Sequence, residues 1–338
     1  MSHVPPPLAG IRIAATGAYR PGTPVLSASI DERMGAPAGT CEKRLGIRAR
    51  HFAGTETTSS MAVEAARRAL ATANWRPEDL DIVVSASAVM EQWIPTQAVL
   101  VQQQLGLAER ATPALDINAT CLSFLAAFDT ISYAMAAGRY RRVLIVSSDM
   151  PSRALDWNDV DICGNFGDVA AAVLLERDDA TSSAILASRF EVHSEGAYLC
   201  EIRSGGTLLD LRDDPEAFGA GVTFRMDGEA AYRVAARHLP AFLKHLLAAA
   251  GAGVTVGDLA AIVPHQASAA GLLHVRRLCR IPKHKMIDIF ADHGNQVSAS
   301  IPTALDAAVR SGHVRRGDVV LVAGTAAGIT LGGMVLRY

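Results

Sequence analysis

No apolar run in this 338-residue chain continues for about 18 positions without a charged residue, so no membrane-spanning helix is expected. The opening segment, MSHVPPPLAG, has no basic stretch leading into an apolar one, which argues against a secretory signal. There is no CxxC pair. The five cysteines, Cys41, Cys121, Cys163, Cys200 and Cys279, are odd in number and scattered, which fits free thiols in a reducing cytoplasm. A formal charge of −2 without long runs of one sign gives no sign of a nucleic-acid-binding face. Neither a GxSxG of the serine-hydrolase kind nor a GxGxxG placed after a strand occurs. His284, Asp288, Asp292 and His293 fit no tight metal-ligand spacing, so no metal is expected.

What is present is a large stock of core-forming residues. Half of the chain is hydrophobic, enough to bury a sizeable interior. Short β-branched runs alternate with apolar helical stretches: Ile82-Val83-Val84, Val143 to Val146, Ala261-Ile262-Val263 and Val319 to Val322. That alternation predicts an α/β fold with helices on the sheet faces. Residues 60–74 have the periodicity of an amphipathic helix.

The chain also echoes itself. Ala127-Phe128-Asp129, leading to Val143–Val146, returns as Ala304-Leu305-Asp306, leading to Val319–Val322. Asp79-Leu80 before one strand returns as Asp258-Leu259 before another. The aspartate pairs are 177 and 179 positions apart, in the same order, which points to a duplicated βα half. Two similar halves, residues 1–178 and 179–338, are therefore expected, with the join in the polar stretch 176–194. Residues 203–224, rich in Gly and Asp, read as a surface excursion.

Cys121 stands where a strand-like run, Leu115-Asp116-Ile117, turns into an almost wholly apolar helix. At a helix N-terminus the dipole and free N–H groups favour a thiolate and can hold a thioester oxyanion. His265 follows the run Ile262-Val263-Pro264, where α/β folds put ligand-contacting residues. Asn295 lies in a Gly-containing turn before the helix 301–311, and the repeat sets Ser298 opposite Cys121. Related halves would bring these helix starts together, so Cys, His and Asn can converge as in thiol catalysis.

These segments resemble the ketoacyl-ACP synthase III family of the thiolase superfamily. The resemblance rests on DINATCLSF, VPHQAS, HGNQVSASIPTALDAAV, FGD at Phe166–Asp168, the closing GTAAGITLGGMVLRY, and EKRLGIRARHF followed by TSSMAVEAARRAL. It runs in order from about Ile11 to Tyr338. It implies a thiolase-like five-layered α/β/α/β/α fold, a homodimer, and acylation of Cys121 by a thioester donor on CoA or acyl carrier protein. His265 and Asn295 would then hold the carbonyl of a malonyl thioester while it decarboxylates, and the enolate would attack acyl-Cys121 to give a β-ketoacyl product. A neutral imidazole N–H and an amide NH₂ suit an enolate, because neither protonates the carbanion. The oxyanion hole falls on the backbone N–H groups of Cys121 and Ala327. Trp93, Ile94, Thr325 and Ile329 fall on the acyl pocket, Trp93 and Ile94 on a loop that reaches across the dimer. Arg44 matches a CoA contact, and Arg233, Arg276 and Arg277 match positions facing the acidic carrier. No tightly bound cofactor, nucleic acid or membrane is implied.

The sequence departs from the family pattern in places. Thr40 and Val160 stand where relatives place a stacking tryptophan and a second CoA-contacting arginine. Thr325-Ala326-Ala327-Gly328 replaces F-G-G-G. Two alternatives stay open: an acyltransferase of the same fold acting on an alcohol or amine, and a non-catalytic partner subunit, against which Cys121 argues. Glu91 is the nearest candidate for the glutamate base of relatives that join two acyl chains.

Overall fold

The computed structural model describes residues 7–251 and 253–338; the start of the N-terminal segment, residues 1–6, lies outside them. In chain order the main elements are β1 (Leu8–Ala9), β2 (Ile11–Tyr19), α1 (Thr58–Ala73), β3 (Ile82–Ser85), β4 (Ala114–Asp116), α2 (Ser123–Ala136), β5 (Arg142–Asp149) and β6 (Val169–Arg177). They continue with β7 (Ala184–Val192), α3 (Gly228–Ala249), β8 (Ala261–Pro264), α4 (Ala269–Leu278), α5 (Ser300–Arg310), β9 (Val319–Ala326) and β10 (Thr330–Arg337).

The strands form two five-stranded sheets, ordered β2-β6-β5-β3-β4 and β1-β7-β10-β9-β8. The internal echo reappears in their register. β3 and β5 are parallel, with Ile82 opposite Val143; β8 and β9 are parallel, with Ala261 opposite Val320. Each parallel pair continues into an antiparallel neighbour, Val143 opposite Leu175 and Val320 opposite Leu336. One strand crosses between the halves: β1 pairs with β7, Leu8 opposite Ile185.

Side-chain alternation along the strands divides the interior into three apolar layers. Ile82, Val84, Val143 and Ile145 point inward and meet Val263, Val320 and Val322 of the other sheet through α2 and α5. Val83, Leu144 and Val146 point outward and are covered by Met61, Ala65 and Ala69 of α1. Ile262, Leu321 and Val335 are covered by Phe242, Leu243 and Leu246 of α3. The result is five layers, α/β/α/β/α. Because both faces of each sheet are covered, the strands read in sequence as continuous apolar runs.

The helix expected over 60–74 begins earlier, at Thr58. The Thr57 hydroxyl accepts the Ser60 N–H at 3.2 Å while the Ser60 hydroxyl takes the Thr57 N–H at 2.9 Å, a reciprocal cap that adds a turn's start. Residues 203–224 are mostly exposed and include a short helix, Pro215–Gly221. Among the described residues no helix is long and apolar enough to cross a membrane. Among them, too, no group of three or more His, Cys, Asp or Glu side chains could hold a metal ion.

Candidate active site

Two equivalent turns meet at the centre of the molecule. In the first half the Asn118 Oδ1 accepts the Thr120 N–H at 2.8 Å, and the Asn118 Nδ2 donates to the Ala88 carbonyl at 2.8 Å. Thr120 takes a φ of +51°, and a tight turn over Thr120–Leu122 runs into α2. In the second half the Asn295 Oδ1 accepts the Val297 N–H at 2.9 Å, and its Nδ2 donates to the Ala267 carbonyl at 3.4 Å. Val297 takes a φ of +52°, and the turn Val297–Ala299 runs into α5. A positive φ on a β-branched residue is strained and persists only where its surroundings impose it. Here an Asx turn imposes it in both copies.

The same duplication places the histidine. The His265 N–H donates to the Ala323 carbonyl at 2.9 Å, as the Ala86 N–H does to Val146 at 2.7 Å. Gln266 anchors the segment beyond it. Its backbone N–H donates to the Ser300 hydroxyl at 2.7 Å, its Nε2 to the Pro264 and Ile287 carbonyls, and its Oε1 accepts the Ile289 N–H at 3.0 Å. Gly324 on β9 and Gly332 on β10 are cross-strand partners. A Cβ on Gly324 would lie 2.6 Å from His265 Cβ and 3.2 Å from a Leu122 methyl; one on Gly332 would lie 2.8 Å from the other Leu122 methyl. This glycine pair lets the residue after Cys121 and the catalytic-candidate histidine rest on one patch of sheet.

Cys121, His265 and Asn295 are thus brought to one centre, Cys121 half-buried and the other two buried. Burial pushes the Cys121 thiol up to about 12, with the Asp149 charge adding to the rise and the Ala327 backbone N–H opposing it. Burial thus works against the thiolate that a helix start favours. The opposing N–H is also what brings Ala327 to the sulfur. Burial pulls His265 down to about 4, so its imidazole is neutral at pH 7, and its Nδ1 is buried with no partner.

The other expected site residues divide. Thr325 is half-buried on β9, and Ile329 is buried, where its side chain packs on Gly196. Trp93 and Ile94 are 56% and 83% exposed. Glu91 accepts the Ser59 N–H at 2.7 Å and the Thr58 hydroxyl at 3.0 Å. It caps α1. Arg44 is held by Asp161 through two bonds of 2.6 and 2.5 Å, and Arg233 pairs with Glu229. Arg276 and Arg277, in the last turn of α4, pair with no carboxylate among the described residues.

Sequence reasoning missed four residues. Asn118 was legible, since Asn-x-x-Cys and Asn-x-x-Ser recur at the repeat spacing. Asn165 is buried beside Asn295: its backbone carbonyl accepts the Asn295 N–H at 2.8 Å, and its Nδ2 reaches the same Ala267 carbonyl at 3.4 Å. Asp149 and Ser300, both buried, join segments far apart in sequence and left no local signal.

Known proteins share this fold and much of this sequence. A family model described as 3-oxoacyl-[acyl-carrier-protein] synthase III matches residues 115–196, and the C-terminal model of that family matches residues 247–338. The beta-ketoacyl-[acyl-carrier-protein] synthase III of Methylococcus capsulatus is 35% identical, over 97% of this chain and 98% of that protein. The solved 3-oxoacyl-[acyl-carrier-protein] synthase III of Aquifex aeolicus superposes with a TM-score of 0.87 at 32% identity, covering 97% of this chain and all of that one. The priming beta-ketosynthase of the R1128 polyketide pathway superposes with a TM-score of 0.87 at 28% identity, covering 99% of this chain and 98% of that one. The fold and its central cluster define an acyltransferase of the thiolase fold. Within that class, the chain belongs to the 3-oxoacyl-[acyl-carrier-protein] synthase III family of condensing enzymes.

Proposed function

We propose that this chain makes a β-ketoacyl thioester in two steps, using Cys121 as nucleophile and His265 with Asn295 as the carbonyl-binding pair. The observation that carries this reading is an asymmetry between the two turns. Equivalent positions hold Ala86, Asn118 and Cys121 in one half and His265, Asn295 and Ser298 in the other. Only the combination of one half's thiol with the other half's imidazole and amide makes a working set.

In the first step the Cys121 sulfur adds to a thioester carbonyl. The oxyanion is held by the backbone N–H groups of Cys121 and Ala327, and collapse expels the donor thiol, which takes up the cysteine's proton. In the second step a malonyl thioester loses CO₂, and the electron pair enters an enolate whose oxygen takes hydrogen bonds from His265 and Asn295. The carbanion attacks acyl-Cys121, the C–S bond breaks, and the released thiolate is reprotonated. A histidine held neutral donates an N–H without protonating the carbanion. The long Asn295 contact to Ala267, 3.4 Å, costs little to exchange for substrate.

The donor arm is read from the surface. Arg44 is already paired with Asp161, and Thr40 donates its hydroxyl to the Pro37 carbonyl at 2.6 Å, so neither invites a CoA nucleotide. Arg276 and Arg277 are free to meet an acidic carrier; Arg233 must first leave Glu229. This favours loading from acyl carrier protein over CoA bound at Arg44, with CoA held differently as the other donor. The halves 1–178 and 179–338 work as one catalytic body in a cytoplasmic homodimer without a tightly bound cofactor. Thr325 and Ile329 line the acyl pocket, and the partner subunit's loop closes it with the Trp93 and Ile94 positions.

Intact-protein mass spectrometry with acyl-CoA and acyl-carrier thioesters tests this. Wild type is expected to gain the acyl mass from carrier-bound donors, more than from acetyl-CoA, and Cys121→Ala to gain none. Asn295→Ala is expected to load normally yet release CO₂ from malonyl thioester at least about a hundredfold more slowly. Loading of Cys121→Ala, or no loading of wild type by any donor, overturns the reading.

A further inference from the structure

Asp149 ends β5 and is 2% exposed. Its Oδ1 accepts the N–H groups of Ala88 at 3.0 Å and Val89 at 3.2 Å. Its Oδ2 accepts the Ser298 N–H at 3.0 Å and the Ser298 hydroxyl. Three of these four donors are backbone N–H groups, which can only donate; burial pushes the Asp149 carboxyl up from its usual range, and these donors oppose the rise. No arginine or lysine pairs with it among the described residues. A buried charge without a counter-ion is retained only where such a set of donors replaces water.

The repeat shows what is unusual. At a spacing of 177, Asp149 corresponds to Ala326 and Ser298 to Cys121. In one copy a carboxylate faces the turn; in the copy that holds the thiol, the equivalent residue is an alanine and the next residue's N–H faces the sulfur. The carboxylate therefore stands at the turn of the half that supplies Asn295. Through Ser298 it ties that turn to a strand end and a loop of the other half. Val297, next to Ser298, is the residue whose N–H the Asn295 side chain accepts.

We infer that Asp149 is a positioning residue for decarboxylation, locking the turn that carries Asn295 to the opposite half, and that CO₂ release depends on it more steeply than acyl loading does. The inference rests on the roles proposed above for Cys121 and Asn295. Its two consequences differ in size. Removing the carboxylate loosens the Asn295 turn directly, through Ser298, which slows CO₂ release. It reaches the Cys121 turn only at one remove, through Ala88, whose N–H it accepts and whose carbonyl takes the Asn118 side chain, so loading changes less.

Asp149→Asn keeps the size and removes the charge, and Ser298→Ala removes one of its donors. For each variant, acyl loading is followed by intact mass and CO₂ release by labelled malonyl thioester. For Asp149→Asn we expect loading to be reduced less than CO₂ release. CO₂ release should fall about tenfold or more. Ser298→Ala should show the same split to a smaller extent, and it carries the test if Asp149→Asn does not fold. Equal loss of both half-reactions, or loss of neither, overturns the inference. A wild type that fails to load overturns the underlying reading instead, and this inference with it.

Discussion

Protonation at the centre is decided by burial. A helix N-terminus stabilises a negative group by about 0.3–1 kcal/mol, whereas stripping water from a thiolate costs several times that. Cys121, pushed up to about 12, shows which wins. His265 follows the same rule with the opposite sign, because for imidazole the charged form is the protonated one. Its folded value, about 4, lies below the usual 6.5. Between those values the unfolded chain binds the proton and the folded chain does not, so stability falls as pH drops from 6.5 towards 4 and is unaffected above. His293, also pulled down to about 4 by burial, acts in the same direction. Urea unfolding should show this loss in wild type and a flatter pH dependence in His265→Asn. Identical slopes would mean that His265 is charged in the folded protein.

At the scale of elements, the strained turns and the glycine pair do the placing. Thr120 and Val297 keep positive φ because each is the second residue after an asparagine whose side chain captures its N–H. Gly324 is required for a different reason, lack of space: its φ is ordinary, but its Cα lies under His265 and Leu122. In Gly324→Ala the new methyl would press on both, and neither neighbour is the free end of a flexible chain. Overpacking of this kind costs about 1–3 kcal/mol, so thermal unfolding should come several degrees lower, with condensation reduced beyond the loss of folded protein. An unchanged melting temperature would show that β9 can move away from α2.

Across the whole molecule, among the exposed apolar side chains of the described residues, one group is concentrated on a single loop. Val89, Met90, Trp93 and Ile94 are all about half or more exposed on a single loop, and Leu115 is part-exposed on the edge strand β4. A loop so apolar, held by Glu91 at the start of α1 and by Asp149 at Ala88 and Val89, is built to meet another surface. With a second copy as that surface, Ile94→Asp places a charge in the contact. Sedimentation velocity should then show a shift from dimer towards monomer, with loading slowed because the partner's pocket is left open. If Ile94→Asp sediments as wild type does, the loop is not in the dimer contact.

The α/β class, the echo between the two sheets and the placement of Cys121, His265 and Asn295 at strand ends and turns were legible in the sequence because each rests on local chemistry. Strands covered on both faces leave unbroken apolar runs, and an asparagine two residues before a strained position leaves its mark in both copies. Nothing local reveals that Arg44 meets Asp161, that Glu91 is bound at a helix start, or that Asp149 holds Ser298, since these partners are far apart in the chain. The state of the thiol was likewise decided by the tertiary structure alone. Position at a helix start is a property of the sequence, but desolvation depends on how many layers close over the site, and here the closure is the stronger effect.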